Sequence, residues 1–498
     1  MTAKTDKLWT PLTALCLGFI FLLSYFTYFH RFAEPAGFFW DENYHITSAE
    51  KYLNGTFFMQ YHPPLGKLLI ALGEKFMDAN AEDNQFLAID YATTLPDGFS
   101  FVGYRLFPTL LAWLTAPLLF FVFLFIFRKP INATLMSFLY VFDNALIVHS
   151  RGAMLESPLV FFTTLTILSF FLLLEWQKSP KRFLLASIFF GMSLGLSVTT
   201  KVVGLILILL VPAVLYALFP QWKKMLLFLG LTFSAFLLTF VAVWQIHFSL
   251  ATTINPLAEN NGWYQTSPEY REILTGKKQN SLFSFPVMLR DSLKYVGHVD
   301  RGVPKLDLCK VGENGSPFFF WPFGARAINY RWASVDAETY RYLYLQSNPA
   351  AWALGLLGVL LAVTFLLSAL FFRQKLSHTF LLSTFLALYI SYMIAISQLD
   401  RVMYLYHYFL PLLFSFILFG IVSAEVKHIG RFSLSEARKT MLLMFLAACI
   451  FLSYQIYRPL TYYEPITNEQ LQKRAFFPLW ELSCVTCERG SVLGSPKQ

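Results

Sequence analysis

Residues 104–127 read YRLFPTLLAWLTAPLLFFVFLFIF and are followed at once by Arg128 and Lys129. A helix needs about 20 mostly apolar residues to cross a bilayer, so this stretch predicts a membrane-spanning helix that ends at a basic loop. Ten further runs of this kind lie near residues 9–30, 132–148, 158–175, 183–200, 202–219, 225–247, 350–372, 379–397, 403–423 and 441–457. The chain is therefore predicted to be an all-α polytopic membrane protein with about eleven transmembrane helices.

The composition agrees with a membrane protein. Of the 498 residues, 56% are hydrophobic and 14% are charged, whereas about 25% of the residues in a soluble protein are charged. The net charge of +9 is spread over short basic clusters between the apolar runs. Such clusters set the orientation of a chain in the membrane. We therefore expect membrane lipid around the protein and no nucleic acid partner.

The short basic loops predict how the helices are oriented. If the N-terminus is cytoplasmic, the basic residues of five short loops fall on the cytoplasmic side, as the positive-inside rule requires. They are Arg128, Lys129, Lys178, Lys181, Arg182, Lys223, Lys224, Arg373, Lys375, Lys427, Arg431, Arg438 and Lys439. Three segments then face outward, namely residues 31–103, residues 248–349 and the tail from about residue 458. Loops of this length are usually functional.

Two outward segments carry further structural signals. Residues 64–76 place Leu65, Leu68, Leu69, Leu72 and Phe76 on one helical face, which predicts an amphipathic helix in the plane of the membrane interface. In the tail, Cys484 and Cys487 form a C-x-x-C pair. This pair either closes a small disulfide in an oxidising outer compartment or remains two thiols.

The first outer loop places two adjacent carboxylates, Asp41 and Glu42, directly after a spanning segment. Ionisable groups at such a depth are costly, which makes them candidates for a functional site. Asp41 and His45 share a face if a helix begins here, and Asn54 with the glycine after it would end that helix. The alternative is that Asp41 only caps the helix.

A second candidate follows at residues 62–67, which read HPPLGK. Proline holds the residue before it in an extended conformation, so His62 and Lys67 are fixed near the membrane interface. There Lys67 either binds the phosphate of a headgroup or extends its side chain towards water beside a rigid turn.

A third polar cluster lies at the next outward turn. It contains Asp143, Arg151 and Glu156, and Ser157-Pro158 marks the start of the following helix. Arg105, at the outer start of another span, lies at the same depth. These groups either form structural ion pairs or line the wall of a shared cavity.

Two aromatic segments complete the candidates. Residues 316–326 read SPFFFWPFGAR and include Trp321 and Arg326; aromatic side chains at this density must contact lipid or line an apolar groove. Arg326 either binds an anionic headgroup or stacks on the rings. Residues 404–408 read YLYHY and contain His407, and the tyrosines of this segment are also typical anchors at a membrane interface.

In this order, these motifs resemble those of the protein O-mannosyltransferase family. The resemblance rests on Asp41-Glu42, the HPPLGK segment, the run from Asp143 to Pro158, Thr199-Thr200-Lys201, Trp321-Pro322 with Arg326, Asn348-Pro349 and Tyr406-His407-Tyr408. It covers most of residues 35–425. It implies a GT-C glycosyltransferase fold, with residues 1–425 as the catalytic domain and residues 426–498 holding the last helix and the tail.

The resemblance also implies the reaction. Members of this family transfer a sugar, typically mannose, from a polyprenyl-phosphate carrier to Ser or Thr of a secreted protein, with anomeric inversion. Eukaryotic members carry a β-rich insertion in the large outer loop, for which roughly 100 residues leave no room. The chain thus resembles a bacterial-type member, which would lie in the inner membrane with its active site on the periplasmic side.

The candidate residues are given roles on this basis. Asp41, beside Glu42, is expected to be the general base. The residues expected to contact the donor phosphate are Arg326, Arg151, Arg105, His407 and Lys67. The residues expected to contact the acceptor and the sugar are Glu156, His62, Asp143 and Trp321. No cluster has the spacing of metal ligands, so no metal site is predicted, although two carboxylates would suffice to share a Mg²⁺ or Mn²⁺ ion.

Two rival functions remain at this point. An enzyme of the same fold would glycosylate a lipid or a cell-wall glycan, and only its acceptor would differ. A transporter or flippase would have no catalytic role, but its site would be expected near the middle of the bilayer with broken helices and repeats. The ionisable residues here lie at the outer ends of spans, which favours the transferase.

Overall fold

The computed structural model describes residues 8–257, 262–310 and 312–487. Within them, nine helices are long and apolar enough to cross a membrane. They are α1 (Pro11–Ser24, continued by a π-helical turn to Phe29), α4 (Val102–Phe127), α7 (Glu156–Glu175), α8 (Pro180–Thr200), α10 (Trp222–Leu250), α13 (Pro349–Phe371), α14 (Thr379–Ser397), α15 (Phe409–Glu425, extended at its start by a 3₁₀ turn from Leu405) and α16 (Glu436–Thr461). The predicted polytopic helical membrane protein is confirmed, and the described residues contain nine or ten membrane-spanning helices.

The two remaining apolar runs are also helical but not straight spans. One consists of α5 (Pro130–Val141) and α6 (Asn144–Ser150), which meet at an angle of 62°. The other is a 3₁₀ segment, Val202–Leu209, followed by α9 (Leu210–Leu218). One bent pair and one shorter apolar segment therefore account for the difference between nine spans and the eleven predicted.

The core of the bundle is built around α15. Almost every residue of this helix is buried, and it packs against α13, α14, α4 and α7. Gly358 of α13 allows the two backbones to meet, because a Cβ at this position would lie 2.5 Å from the backbone nitrogen of Phe419. The first residues of this central helix therefore have a fixed position at one end of the bundle.

The short basic loops gather at the opposite end. Arg128 pairs with Glu175 at 2.5 Å, and Lys129 pairs with Glu436 at 2.7 Å. His378 contacts Glu425 at 2.7 Å in the same region. These contacts join four connections between helices, so the loops that predicted the orientation share one end of the molecule.

The segments between the spans form the other end. They include α2 (Glu42–Leu53), α3 (Leu65–Met77), α11 (Pro268–Leu274), α12 (Phe285–Gly302) and α17 (Asn468–Gln472). The side chains of Leu72 and Phe76 in α3 are exposed, while Gly73 lies against the backbone of Gly103 in α4. The helix predicted over residues 64–76 is therefore present, and two of its five predicted apolar residues are exposed while the other three are partly buried.

A small sheet departs from the all-α prediction. Strand β1 (Ile328–Ser334) pairs antiparallel with β2 (Thr339–Leu345), and β2 pairs with β5 (Pro465–Thr467) of the tail. A separate hairpin of β3 (His428–Ile429) and β4 (Phe432–Ser433) lies among the basic loops. The aromatic alternation of β2, TYRYLYL, favours a strand. The protein is mostly helical with this sheet at its loop-rich end.

The tail folds onto the long segment between α12 and α13. The backbone N–H groups of Arg326 and Ala327 donate to the carbonyls of Leu479 and Trp480. Cys484 and Cys487 are joined by a disulfide, which decides between the alternatives that the sequence left open.

Candidate active site

Asp41 lies at the start of α2, at the end of the bundle opposite the basic loops. It occupies the N-cap position, but its side chain makes no hydrogen bond to the helix. Its Oδ2 instead accepts a hydrogen bond from the hydroxyl of Tyr406 at 3.3 Å. A cap requires a side-chain bond to a backbone N–H, so the carboxylate of Asp41 is left to face the space in front of Tyr406.

Aromatic rings enclose this carboxylate. Trp40 stacks on Tyr330 with ring centroids 5.2 Å apart, and it meets Tyr406 edge-on at 6.2 Å. Tyr406 in turn stacks on His149 at 4.8 Å and on His407 at 4.5 Å. Such a wall limits the access of water to the carboxylate and fixes the hydroxyl that contacts it.

Glu156 and Lys201 form a buried ion pair beside Asp41. The ammonium of Lys201 donates to Oε1 of Glu156, while Nε2 of His149 lies 2.7 Å from Oε2. Nδ1 of His149 is 2.6 Å from the hydroxyl of Tyr330. A buried charge is stable only when it is paired and hydrogen-bonded, and this network satisfies both oxygens of Glu156.

The opposite wall of the site carries basic groups. Burial lowers the pKa of His45 to about 3, so this ring is neutral, and its Nδ1 lies 2.8 Å from the carbonyl of Ala153. Burial also holds the pKa of His62 well below its ordinary value, and the nearby Lys201 and Lys67 ammonium groups lower it further. This wall therefore offers neutral imidazoles beside the amines of Lys67 and Lys201.

Lys67 is the buried cation best placed for a ligand. Its ammonium lies 4.9 Å from the centroid of the Tyr61 ring, and it forms no ion pair with any residue in the described part of the chain. Burial lowers the pKa of Lys67 to about 7, with a further contribution from Lys51. An anion bound at this position would restore the charged form of the side chain.

The electrostatic surroundings of Asp41 affect its basicity. Burial raises the pKa of Asp41 above its ordinary value, and the negative charge of Glu156 raises it further. The interactions with Lys201 and His149 and the hydrogen bond from Tyr406 lower the pKa of Asp41. A carboxylate with a raised pKa is a stronger proton acceptor, so the environment suits a general base.

Glu42, predicted to act with Asp41, points away from this space. Its carboxylate forms two bonds of 2.7 Å with the guanidinium of Arg105, and neither side chain is exposed. It also accepts from the backbone N–H groups of Phe39 and Ala153 at 3.1 and 2.8 Å. All of its acceptor positions serve the fold, and we therefore assign Glu42 a structural role.

Arg105 was expected to contact a phosphate, but the structure gives it a different environment. Besides Glu42, it donates to three backbone carbonyls of the first outer loop, those of Ala33, Pro35 and Gly37, at 2.8–2.9 Å. These bonds use all five N–H groups of a guanidinium. Arg105 therefore anchors the loop that carries Asp41 and has no donor left for a ligand.

Three other predicted residues are also engaged elsewhere. Arg326 contacts Glu481 at 3.2 Å and donates to two carbonyls of its own loop. Asp143 caps α6 through the N–H of Leu146 at 2.9 Å and accepts from the indole N–H of Trp352 at 2.7 Å. Arg151 points towards the end of α1, into a separate cavity. None of the three is placed in the space in front of Asp41.

Trp321 and His407 extend the aromatic wall. Trp321 is fully buried, stacks on His407 with centroids 6.2 Å apart, and donates to the carbonyl of Ser316 at 3.0 Å. His407 is held by Tyr404, whose backbone atoms lie 3.1–3.2 Å from its Nδ1. His407 stacks on Tyr406, and Trp321 lies behind His407, so the Nδ1 atom of the ring expected to contact a phosphate contacts the Tyr404 backbone instead.

An apolar groove begins next to Lys201. It has a volume of about 450 Å³ and is lined by residues of the 3₁₀ segment and of α14, including Val202, Leu205, Ile206, Leu209, Tyr392 and Ile396. The hydroxyl of Tyr392 donates to the carbonyl of His407 at 2.8 Å. The groove therefore lies beside the segment that follows Lys201 and beside Tyr392, which contacts a residue of the aromatic wall.

Within the described residues, no group of three His, Cys, Asp or Glu side chains is arranged to hold a metal ion. The two carboxylates nearest each other in the site are Asp41 and Glu156. Both oxygens of Glu156 are already bonded, to Lys201 and His149. This pair of carboxylates therefore does not fit a shared divalent cation.

Lys201 and Tyr406 belong to motifs that carry the resemblance, but neither was assigned a role in the site from the sequence. Lys201 is the one charged residue between two apolar runs, and a charge at such a position is expensive unless it has a function. It looked like the turn between two spans, while Tyr406 looked like an interface anchor. Their place in the site depends on which helices pack together, because Lys201 follows α8 and Tyr406 precedes α15.

Comparison with known proteins identifies the family. Residues 18–257 match the family model of dolichyl-phosphate-mannose-protein mannosyltransferases, and residues 308–480 match the model of the C-terminal four-helix membrane region of protein O-mannosyltransferases.

The chain belongs to the protein O-mannosyltransferase family.

Two eukaryotic proteins illustrate the similarity to curated relatives in this family. Dolichyl-phosphate-mannose–protein mannosyltransferase 1 of Candida albicans is 32% identical over 193 residues, which are 38% of this chain and 21% of that protein. Protein O-mannosyl-transferase 2 of Danio rerio is 30% identical over 200 residues, or 39% of this chain and 26% of the relative. The matched region thus spans about a quarter of the length of these protein O-mannosyltransferases.

Solved structures show that the fold is shared along the chain. The Saccharomyces cerevisiae protein O-mannosyltransferase Pmt1-Pmt2 complex bound to the sugar donor superposes with a TM-score of 0.80 at 15% identity, covering 96% of this chain and 94% of that one. The archaeal oligosaccharyltransferase AglB from Archaeoglobus fulgidus gives a TM-score of 0.50 at 14% identity, covering 91% of this chain and 56% of that one. The chain therefore has the GT-C fold of the protein O-mannosyltransferases.

Proposed function

We propose that this protein transfers a sugar, most simply mannose, from a polyprenyl-phosphate carrier to Ser or Thr hydroxyls of secreted proteins, with anomeric inversion. Membership of the protein O-mannosyltransferase family supports the donor and the acceptor. The observation that carries the proposal is the carboxylate of Asp41, which is held in a partly closed aromatic cavity and does not cap its helix. We place this cavity on the outer face of a bacterial inner membrane, with the basic loops in the cytoplasm.

In the proposed reaction, Asp41 accepts the proton of the acceptor hydroxyl. The hydroxyl oxygen forms a bond to C1 of the sugar from the face opposite the phosphate, and the C1–O bond to the phosphate breaks. The electron pair of that bond remains on the phosphate, which leaves as polyprenyl phosphate. Because substitution occurs from the opposite face, the product has the inverted anomeric configuration.

Lys201, Lys67 and His62 would hold the donor phosphate. The two ammonium groups supply the charge that stabilises the leaving phosphate, and a neutral imidazole can donate one hydrogen bond. The apolar groove beside Lys201 suits the isoprenoid chain, because it is lined by aliphatic residues and opens towards lipid. This replaces Arg105, Arg151, Arg326 and His407 in the predicted set of phosphate contacts and retains Lys67 from it.

The aromatic wall would orient the sugar and the acceptor. Sugar rings present C–H groups that pack on aromatic faces, and Trp40, Tyr406 and His407 offer such faces around Asp41. Glu156 would act through Lys201 and His149, because both of its oxygens are occupied by them. It therefore positions the charged groups of the site and does not contact the sugar itself.

A transfer assay with three acceptors tests the proposal. Purified protein in lipid would receive radiolabelled polyprenyl-phosphate-mannose together with a Ser/Thr-rich peptide, a membrane lipid extract or a cell-wall glycan. We expect label in the peptide. Label in the lipid or the glycan alone would show that the acceptor is not a protein. Donor binding without transfer to any of the three acceptors would favour a transporter.

The pH dependence of transfer follows from the surroundings of Asp41. Only the ionised carboxylate accepts a proton, and its pKa is raised. We therefore expect kcat/KM to fall as the pH falls through this raised pKa, so that the acid limb lies above the value of about 4 that is usual for aspartate. An acid limb at or below that value in a pH series of wild-type transfer rates would contradict the assigned environment.

The charge of Lys201 gives a prediction about donor binding. We expect Lys201→Gln to weaken binding of polyprenyl-phosphate-mannose by about 10- to 100-fold, because a hydrogen bond to a charged group contributes about 1.5–3 kcal/mol. Lys201→Arg should retain most of the affinity. Retention of labelled donor by the purified protein measures the effect.

The control for Lys201 is Lys294→Gln, which removes an exposed lysine of α12. Donor binding by this variant should equal that of the wild type. If Lys201→Gln binds donor as tightly as Lys294→Gln does, Lys201 does not contact the phosphate.

A further inference from the structure

A second polar cavity lies at the same end of the bundle as Asp41 but is lined by a different set of residues. It has a volume of about 680 Å³ and lies between the end of α1, the end of α16 and the strands β2 and β5. Both helices end here, at the level where the spans give way to the outer loops. The cavity therefore lies at the membrane interface, and the proposed transfer reaction makes no use of it.

The lining of this cavity is positively charged. Four arginines contribute to it, namely Arg31, Arg151, Arg341 and Arg458, against two glutamates, Glu34 and Glu464. The charges sum to +2 (four minus two). Arg31 pairs with Glu34 at 2.6 Å and Arg458 with Glu464 at 2.7 Å. The other two arginines supply the net charge.

Arg151 is the buried member of the set. Its residue is 5% exposed, and it forms no ion pair with a carboxylate in residues 8–257, 262–310 or 312–487. Its Nη atoms donate to the backbone carbonyls of Tyr28, His30 and Arg31, and its guanidinium lies 5.0 Å from the centroid of the Tyr462 ring. A guanidinium has five N–H groups, so these three bonds leave two donors for another acceptor.

The aromatic part of the lining also has an unused polar group. The hydroxyl of Tyr463 is buried and has no hydrogen-bond partner among the described residues. Tyr454, Tyr462 and Phe26 line the same cavity. Buried polar groups in folded proteins almost always have a partner, so the cavity has the features of a site for a ligand that accepts hydrogen bonds and carries negative charge.

The surface next to the cavity is apolar. Phe26 itself is 55% exposed, and Leu22 one turn earlier in α1 is 54% exposed. On α16, Leu452 and Ile456 are exposed as well. A ligand with its anionic group among the arginines would thus place any attached hydrocarbon chains along lipid-facing side chains.

We propose that this cavity binds the phosphate headgroup of an anionic phospholipid from the leaflet next to the active site. Arginine is well suited to phosphate because its planar fork of N–H groups matches the phosphate oxygens. A free phosphate ion has the same headgroup chemistry, but it would make no use of the apolar surface beside the cavity. The lipid is distinct from the polyprenyl-phosphate donor, whose proposed site lies beside Lys201.

Lipid binding to the detergent-purified full chain tests this proposal. Native mass spectrometry would measure retention of phosphatidylglycerol, of phosphatidylcholine and of inorganic phosphate. We expect the wild type to prefer phosphatidylglycerol. The double variant Arg341→Gln/Arg458→Gln should bind it about 30-fold more weakly, because each basic residue near the headgroup contributes about 1 kcal/mol. Both arginines are at the surface, so the variant is expected to fold.

The matched control is Lys473→Gln, which breaks an exposed pair with Glu469 outside the cavity. It should leave the preference for phosphatidylglycerol unchanged. Equal binding of the two lipids by the wild type, or an unchanged preference in the double variant, would overturn the proposal. Binding of inorganic phosphate as tight as that of phosphatidylglycerol would show a phosphate site and not a lipid site. None of these outcomes depends on transfer activity.

Discussion

Asp41→Asn is expected to reduce sugar transfer by about 10²–10⁴-fold, the usual contribution of a general base. The substitution retains the size and the hydrogen-bonding capacity of the side chain, including an oxygen for the bond from Tyr406. It removes only the ability to take the acceptor proton. Initial rates with labelled donor and a Ser/Thr-rich peptide measure the loss, and the retention of donor by the same protein should stay close to that of the wild type.

The control for this experiment is Asp97→Asn, which changes an exposed aspartate of the same outer loop. It should transfer sugar at the rate of the wild type. If Asp41→Asn were as active as Asp97→Asn, the proton would have to go to another group, and the assignment of Asp41 as the base would be wrong.

The second large effect concerns stability. We expect Arg105→Gln to destabilise the folded protein by about 3–5 kcal/mol, because removing one partner of a buried ion pair leaves the other charge uncompensated. The partner here is Glu42, and neither side chain is exposed. Three backbone carbonyls of the first outer loop would also lose their donors. Thermal unfolding in detergent and the yield of monodisperse protein measure the effect.

Arg128→Gln provides the comparison, since it breaks the pair with Glu175, whose side chains are 48% and 30% exposed. Exposed pairs contribute about 0–1 kcal/mol, so this variant should unfold close to the wild type. If Arg105→Gln were as stable as Arg128→Gln and had lost donor binding, the original expectation of a phosphate contact would be right and the structural role would be wrong.

The sequence predicted the membrane architecture well because apolar length is a local property. Each of the eleven apolar runs is helical, and the end of α2 before Asn54 and Gly55 agrees with their turn signal. Length alone could not show that α5 and α6 meet at 62° or that the segment after Lys201 winds as a 3₁₀ helix. Those bends depend on contacts with other helices.

The site residues were harder to predict, for a physical reason that the arginines illustrate. Arg105, Arg151 and Arg326 have the composition and depth expected of phosphate ligands, yet each donates to backbone carbonyls of outer loops. Long loops expose carbonyls that need donors, and an arginine can satisfy several at once. Sequence spacing does not reveal which carbonyls come within reach.

Lys201 and Tyr406 show the converse. In the chain, Lys201 lies about 160 residues after Asp41 and about 200 residues before Tyr406. In the structure, the hydroxyl of Tyr406 is 3.3 Å from Oδ2 of Asp41. Only the packing of α8, α15 and the start of α2 brings them together. The resemblance to the family pointed to both motifs, but it did not say what either side chain does in this chain.

The most direct test of the proposed displacement mechanism is the structure of the product formed by the wild-type protein. Purified protein in lipid would be given polyprenyl-phosphate-mannose and either a threonine-containing peptide or the same peptide with alanine in place of threonine. We predict mannose on the threonine oxygen, with the anomeric configuration inverted relative to the donor when read by NMR, and none on the alanine peptide. A retained configuration, or transfer that does not require the hydroxyl, would contradict a single displacement assisted by Asp41.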